Sequence, residues 1–221
     1  MPPLLCVDSD IFTLMAAAGR LDRLPALAGV APDAIRRLAA LPHMLAKGKA
    51  FRDYPQAARD TALAAANVVP GLTERPTDNN TYNRLAGTPG IDPGEALLFA
   101  VMAEQPVYWL ATADRRSLVS LATAAEVDDI RQRVAGRVVS FEAVFFRLVE
   151  ADGLAATAAA FAAVGLSTNP KVRTLIRAPG GDTELAGICS YLRDICRSTG
   201  GPGHLLHCPP CPQAAAGVCR L

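Results

Sequence analysis

No run of apolar residues in this chain is long enough to cross a bilayer. The longest, LAATAAAFAAVGL from residue 154, is short and rich in alanine. A basic leader is missing too: in MPPLLCVDSDIF, Asp8 and Asp10 break the early apolar stretch, so no targeting segment is expected. Charge of one sign is also lacking. The 22 basic and 21 acidic residues leave a net charge of +1, which confines any basic surface to a local patch. Neither a glycine-rich phosphate loop nor a dinucleotide fingerprint is present, which argues against nucleotide-binding folds of those types. Histidine is scarce, and His43, His204 and His207 all stand away from the acidic motifs described below.

What the chain does have is apolar mass. Hydrophobic residues make up 51% of its 221 positions, enough for a sizeable core and for one domain with an extension. Arginine far outnumbers lysine and alanine is abundant, a bias that genomic base composition explains as well as function does. Cys6 falls in an expected buried strand. The cysteines are read as reduced or metal-bound rather than paired, and the location as cytoplasmic.

Residues 3–8 read as a buried strand and 10–24 as a helix capped by Ser9 or Asp10 and ended by Pro25 and Gly29. Asp33 is expected to cap a helix over APDAIRRLAALPHMLAKGK, broken at Pro42. Residues 55–66 read as a helix opened by Pro55, NVVPGL as a short strand and TERPTDNNTYNRLAGTPG as a loop. Glu95–Glu104 is helical, with Leu97, Leu98, Val101 and Met102 on its apolar face. VYWLAT is a strand, ADRRSLVSLATAAE a helix, and RVVSFEAVFF a strand turning helical near Phe141. This alternation predicts an α/β fold, a three-layer α/β/α sandwich around a central parallel sheet. The main domain is placed at 1–150. Residues 151–221 are read as a helical extension with an alanine-rich helix, the loops STNP and APGGDTE, and a helix DTELAGICSYLRDICRS before a tail rich in cysteine and histidine.

Three acidic segments carry the functional reading. In CVDSDIF and YWLATADRRSL an apolar strand ends directly in aspartate, and in GIDPGEALLFA a Pro-Gly turn delivers glutamate to the first turn of an apolar helix. The carboxylates are Asp8, Asp10, Glu95 and Asp114. Parallel α/β sheets bind ligands just beyond the carboxyl ends of their strands. Carboxylates gathered there repel one another, and a hard divalent cation relieves the repulsion. The pattern points to a metal-dependent phosphodiesterase. Each residue also has a plainer reading: Asp8 and Asp10 as caps of the first helix, Glu95 as a first-turn acid favoured by the helix dipole, Asp114 as the cap of the next helix.

Taken in order, CVDSDIFTLMAAAGRLDRL, DPGEALLFAVMAE and WLATADRRSL resemble the motifs of the PIN-domain family of metal-dependent ribonucleases, which includes toxins of bacterial toxin–antitoxin pairs. The resemblance implies a PIN-like fold in which Asp8, Glu95 and Asp114 hold Mg²⁺ or Mn²⁺ and carry catalysis. Asp10 would face the site, and Thr112 would order the metal shell or bind a phosphate. The implied activity is endonucleolytic hydrolysis of RNA. The implied partners are RNA and, for a toxin, an antitoxin-like protein; no membrane is expected, and a homodimer is left open. There is one departure: where many family members carry a fourth acid, Arg115, Arg116 and Ser117 follow Asp114. Either Asp10 completes the set or one metal suffices, and Arg115 or Arg116 grips the substrate phosphate. If the set is incomplete, the alternative is a catalytically degenerate PIN-like module that binds nucleic acid or protein. An aspartyl-phosphate phosphatase fits less well, because Phe12 stands where D-x-D-x-[TV] requires Thr or Val.

Two further groups stand out. Arg36, Arg37, Lys47, Lys49, Arg52 and Arg59, with Tyr54 among them, are read either as a solvated helix face or as a flank for single-stranded RNA. In the tail, His204, His207, Cys208, Cys211 and Cys219 form a candidate structural Zn²⁺ site, with Cys189 and Cys196 as alternative ligands; a frayed tail is the other reading.

Overall fold

Four short parallel strands organise the computed structural model, which describes residues 3–27, 29–47, 51–177, 184–200 and 205–207. They are β1 (Leu4–Val7), β2 (Ile35–Arg37), β3 (Tyr108–Thr112) and β4 (Val138–Ser140), in the order β2-β1-β3-β4. Leu5 lies beside Ile35 on one side and Trp109 on the other, and Leu110 lies beside Val138. All four residues of β1 are buried, which accounts for an unbroken apolar run in place of an alternating one. The sheet is flanked by helices, an arrangement compatible with a three-layer α/β/α sandwich. The chain leaves β1 first for β2 on one side and then for β3 on the other, so the switch of direction falls at the carboxyl ends of β1 and β3.

Helix α1 (Ser9–Ala17) buries every residue except Asp10. It stops well short of residue 24: Gly19 turns the chain at φ +64°, and Arg23–Leu27 forms a separate short helix, α2, that contains Pro25. The helix expected from Asp33 is corrected as well. Pro32–Ala34 is a 3₁₀ turn, Ile35–Arg37 is strand β2, and only Leu41–Lys47 is helical, as α3. Strand β2 is three residues long and pairs with β1 on one side and, through Arg37, with Pro70 and Leu72 on the other, a tertiary stabilisation that local propensity does not reveal. Helix α4 (Gln56–Val68) packs on α1 and α3, its face made of Ala58, Ala62 and Ala66, small enough for close approach. NVVPGL is not a strand: Val68 closes α4, and Gly71 makes only an isolated bridge to Arg37.

The expected loop before the central glutamate contains a helix, α5 (Asn79–Gly87). The Asp78 carboxylate caps it by accepting from Asn80 and Thr81 N–H, while Thr81 and Leu85 turn inward. Gly90, at φ +92°, then passes so close to Ser120 that a Cβ would stand 2.3 Å from its Oγ. Helix α6 (Pro93–Glu104) follows, packed on α5, on β3 and on α8 (Asp128–Val134). Helix α7 (Arg115–Thr123) follows β3, and α9 (Phe141–Asp152) follows β4 directly.

The C-terminal helices are α10 (Leu154–Ala162), α11 (Pro170–Ile176) and α12 (Glu184–Ser198). Their residues Phe161, Val172, Leu175 and Ile188 belong to the same core as the sheet, and Phe161 stacks on Phe145 at 5.9 Å. STNP is not a plain loop, since Leu166–Thr168 is a 3₁₀ turn and Asn169 caps α11. Beyond α12, Leu206 pairs with Val138 at the outer edge of β4, and the His207 N–H donates to Val138 O at 2.7 Å. Among the described residues no helix is long and apolar enough to cross a membrane. Cys196 is disulfide-bonded, which corrects its own reading as reduced or metal-bound, while Cys6 is a free thiol buried in β1.

Candidate active site

Asp8 leaves the end of β1 in extended conformation and caps α1, with its Oδ1 accepting from Ser9 N–H at 2.5 Å. Its backbone N–H donates to Ala111 O at 2.9 Å, which locks it to the end of β3. Thr112, the last residue of β3, is buried and links two of the acids. Its Oγ1 donates to Asp8 Oδ2 at 3.2 Å and accepts from Asp114 N–H at 3.1 Å. The Thr-x-Asp spacing thus has a concrete use: the hydroxyl fixes one carboxylate and the backbone that presents the next.

Asp114 caps α7 through one oxygen, Oδ1, which accepts from Arg116 and Ser117 N–H at 2.8 and 3.1 Å. Glu95 is 5% exposed and sits in a reciprocal capping box: its Oε2 accepts from Asp92 N–H at 2.9 Å, and Asp92 Oδ1 accepts from Glu95 N–H at 2.8 Å. Asp92 is the acid that sequence reasoning missed, although D-P-G-E is a legible capping signal with Pro at the first helical position.

Asp8, Asp10, Asp92, Glu95 and Asp114 together line one cavity of about 550 Å³ at the carboxyl ends of β1 and β3. Their charges interact. Burial pushes the Asp8 carboxyl up to about 6, and the neighbouring Asp10 adds to this; Lys171, the Ser9 N–H and the Thr112 hydroxyl oppose it. Glu95 is raised well above the usual carboxylate range, first by burial and then by the charges of Asp114, Asp92 and Asp8, against the Asp92 N–H bond. Asp10 is held differently. It pairs with Lys171 Nζ at 2.5 Å, and its charge adds to the burial that keeps the Tyr54 hydroxyl protonated.

The arrangement answers the two readings of these acids in part each. Asp8, Glu95 and Asp114 are caps, and they also share a cavity. Among the described residues no three Asp, Glu, His or Cys side chains converge on a single metal position. The donor set itself suits a hard cation: it is all oxygen, and two of its members, Asp8 and Glu95, are buried and hold their protons through burial and like charge. The capping bonds of Glu95 and Asp114 fall on one oxygen of each carboxylate.

The other expected residues separate. Arg115 pairs with Asp194 at 2.7 Å, and Arg116 approaches Asp114 Oδ2 at 3.5 Å. Both line a second cavity, which shares Asp114 with the first and includes Lys171 and Tyr191. Those two were not singled out in the sequence, because only the packing of α11 and α12 brings them there. The segment before residue 60 lines the acidic cavity with Leu38, Ala39, Ala40, Met44 and Phe51, but Arg36, Arg37, Lys47, Arg52 and Arg59 are not among its lining residues. Arg36 donates to the carbonyls of Asp33 and Ile35, and Arg37 to those of Ala66, Leu38 and Ala39. Tyr54 packs edge-on to Phe51 at 5.4 Å. Lys49 lies outside the described residues, as do His204, Cys208, Cys211 and Cys219 of the candidate zinc site. His207, the remaining member, packs its ring edge-on to Trp109 at 4.9 Å.

No family model, no curated protein and no solved structure matches this chain.

Proposed function

We propose that the chain is a PIN-like, metal-dependent endoribonuclease acting at the acidic cavity. The observation that supports this reading is the shared cavity of Asp8, Asp10, Glu95 and Asp114 at the switch point between β1 and β3. Those four carboxylates would hold Mg²⁺ or Mn²⁺. A bound ion of this kind supplies a more acidic water and a positive charge for the phosphoryl oxygens. The protein's own part is positional. Thr112 holds Asp8 and the Asp114 backbone in register, and the capping box holds Glu95 inward. Burial keeps solvent from screening Asp8 and Glu95, so they attract a cation strongly once ionised. RNA is the proposed substrate, and an antitoxin-like protein covering the cavity is the proposed regulator if the chain is a toxin.

The test is cleavage of labelled single-stranded RNA with Mn²⁺, comparing wild type with Asp8→Asn and Glu95→Gln. Metal-dependent cleavage lost in both variants is the expected result. Cleavage surviving both would place the chemistry elsewhere.

A second reading is favoured by one specific observation. Lys171 already supplies a cation to Asp10, and the other acids serve as helix caps. On that reading the module binds nucleic acid or protein without cleaving it. It predicts no Mn²⁺-dependent rise in melting temperature and no cleavage of any RNA tested.

A further inference from the structure

We propose that helices α11 and α12 complete a subsite for single-stranded RNA beside the acidic cavity, with Lys171 and Arg116 on phosphate and Tyr191 against a base. The choice of RNA rests on the nuclease reading above; the cleft itself does not. Its volume is about 540 Å³, within the range of small-ligand sites, and it is lined by Asp114, Arg115, Arg116, Glu142, Lys171 and Tyr191. Because Asp114 also lines the acidic cavity, a strand with one phosphate at the carboxylates places a neighbouring nucleotide in this cleft.

Three cations face two carboxylates there, and the resting partners of two of them, Lys171 and Arg116, are replaceable. The Lys171–Asp10 pair is about one-third exposed on both sides, and Arg116 is 69% exposed with its partner at 3.5 Å. Ion pairs this open to water contribute little, so an RNA phosphate can take the carboxylate's place at small loss. Arg115 is tied to Asp194 and Ser198 of α12 and braces that helix against α7. Tyr191 is half-buried, packed against the core and part of the lining of the cleft. A ring so placed can stack on any base, since every base has a flat face.

The test is fluorescence anisotropy of a short labelled single-stranded RNA in EDTA, so that binding is read without cleavage. Tyr191→Ala is expected to weaken binding roughly tenfold, and Tyr191→Phe to restore it to within about twofold. Lys171→Ala and Arg116→Ala should each lower the salt dependence of log K by about 0.7. Melting curves confirm that each variant is folded. The proposal is overturned if wild type fails to bind, if the folded variants bind as wild type does, or if polyaspartate competes for the same residues as strongly as RNA. RNA binding that depends on Tyr191, without any cleavage, keeps the cleft and rejects the nuclease reading. Cleavage with an unchanged KM in Tyr191→Ala keeps the nuclease and rejects the cleft.

Discussion

The acidic cavity and the cationic cleft meet at Asp114 and have nearly the same volume, about 550 and 540 Å³. They are built in opposite ways. The cavity takes Asp8 and Asp114 from positions just after strands, where the sheet fixes the backbone, and it buries Asp8 and Glu95. The cleft takes Arg116 from α7, Lys171 from α11 and Tyr191 from α12, and leaves Arg116 largely in water and Lys171 about one-third exposed. Buried like charges interact strongly and shift one another's protonation. Solvated charges interact weakly and exchange partners easily. The cavity is therefore suited to holding a cation, and the cleft to holding and releasing an anionic strand.

The sharpest way to break this contrast is kinetic. Asp8→Asn or Glu95→Gln should lower turnover by about three orders of magnitude, because several kcal/mol of charge stabilisation is removed. Tyr191→Ala and Arg116→Ala should act mainly on KM. Single-turnover and steady-state rates on the same RNA separate the two effects. If the cleft variants lose turnover and the acid variants only binding, the assignments are reversed.

Stability against pH gives the next largest effect. The Asp8 carboxyl rises from an ordinary 3.8 in the unfolded chain to about 6 in the fold. The folded state therefore binds the proton more tightly. That contribution to stability is full below pH 3.8 and is lost as pH rises through about 6, about 3 kcal/mol in all. Glu95 is shifted in the same direction and extends the loss to higher pH. Melting temperature should fall across this window in EDTA, and Asp8→Asn should flatten the fall. Above about pH 7, adding Mg²⁺ or Mn²⁺ should recover stability in wild type more than in Asp8→Asn, by mass action on the ionised acids. Tyr191→Ala should leave the curve unchanged.

Thr112→Val probes the hinge between the two regions. The hydroxyl serves Asp8 Oδ2 and the Asp114 N–H, both close to the core. Its removal leaves one acceptor and one donor short, at about 2 kcal/mol of stability by chemical denaturation. Loss of its bond to the ionised Asp8 should also push the Asp8 carboxyl further up, displacing the pH window just described.

How much of this was legible in the sequence follows the same divide. β1, β3, β4, α6, α7, α9 and α12 were readable, because buried runs ending in Asp, Pro-Gly turns and capping residues are local signals. β2 was not: Ile35 alone is buried, and Arg36 and Arg37 suit a strand only because β1 and nearby carbonyls accept their N–H groups. α5 was hidden by Asn and Thr that read as loop, although Asp78 and the Thr81/Leu85 spacing marked it. In the site, Asp8, Asp10, Glu95 and Asp114 could be grouped because a parallel sheet brings strand ends together. Lys171 lies 161 residues from its partner Asp10, and no local pattern announces such a contact.

Lys171→Met should have the smallest effect on stability and is informative for that reason. The pair it breaks is about one-third exposed on both sides, so the loss in ΔG should stay below about 1 kcal/mol. The two regions nevertheless compete for Asp10. With the lysine gone, the acidic cavity loses a cation that opposes the rise of Asp8. Mn²⁺ should therefore stabilise Lys171→Met more than wild type, while RNA binding in EDTA weakens. Melting curves with and without Mn²⁺ measure the first, and anisotropy the second. If metal stabilisation is equal in the two proteins, Lys171 belongs to the cleft alone and the cavity's charge is settled without it.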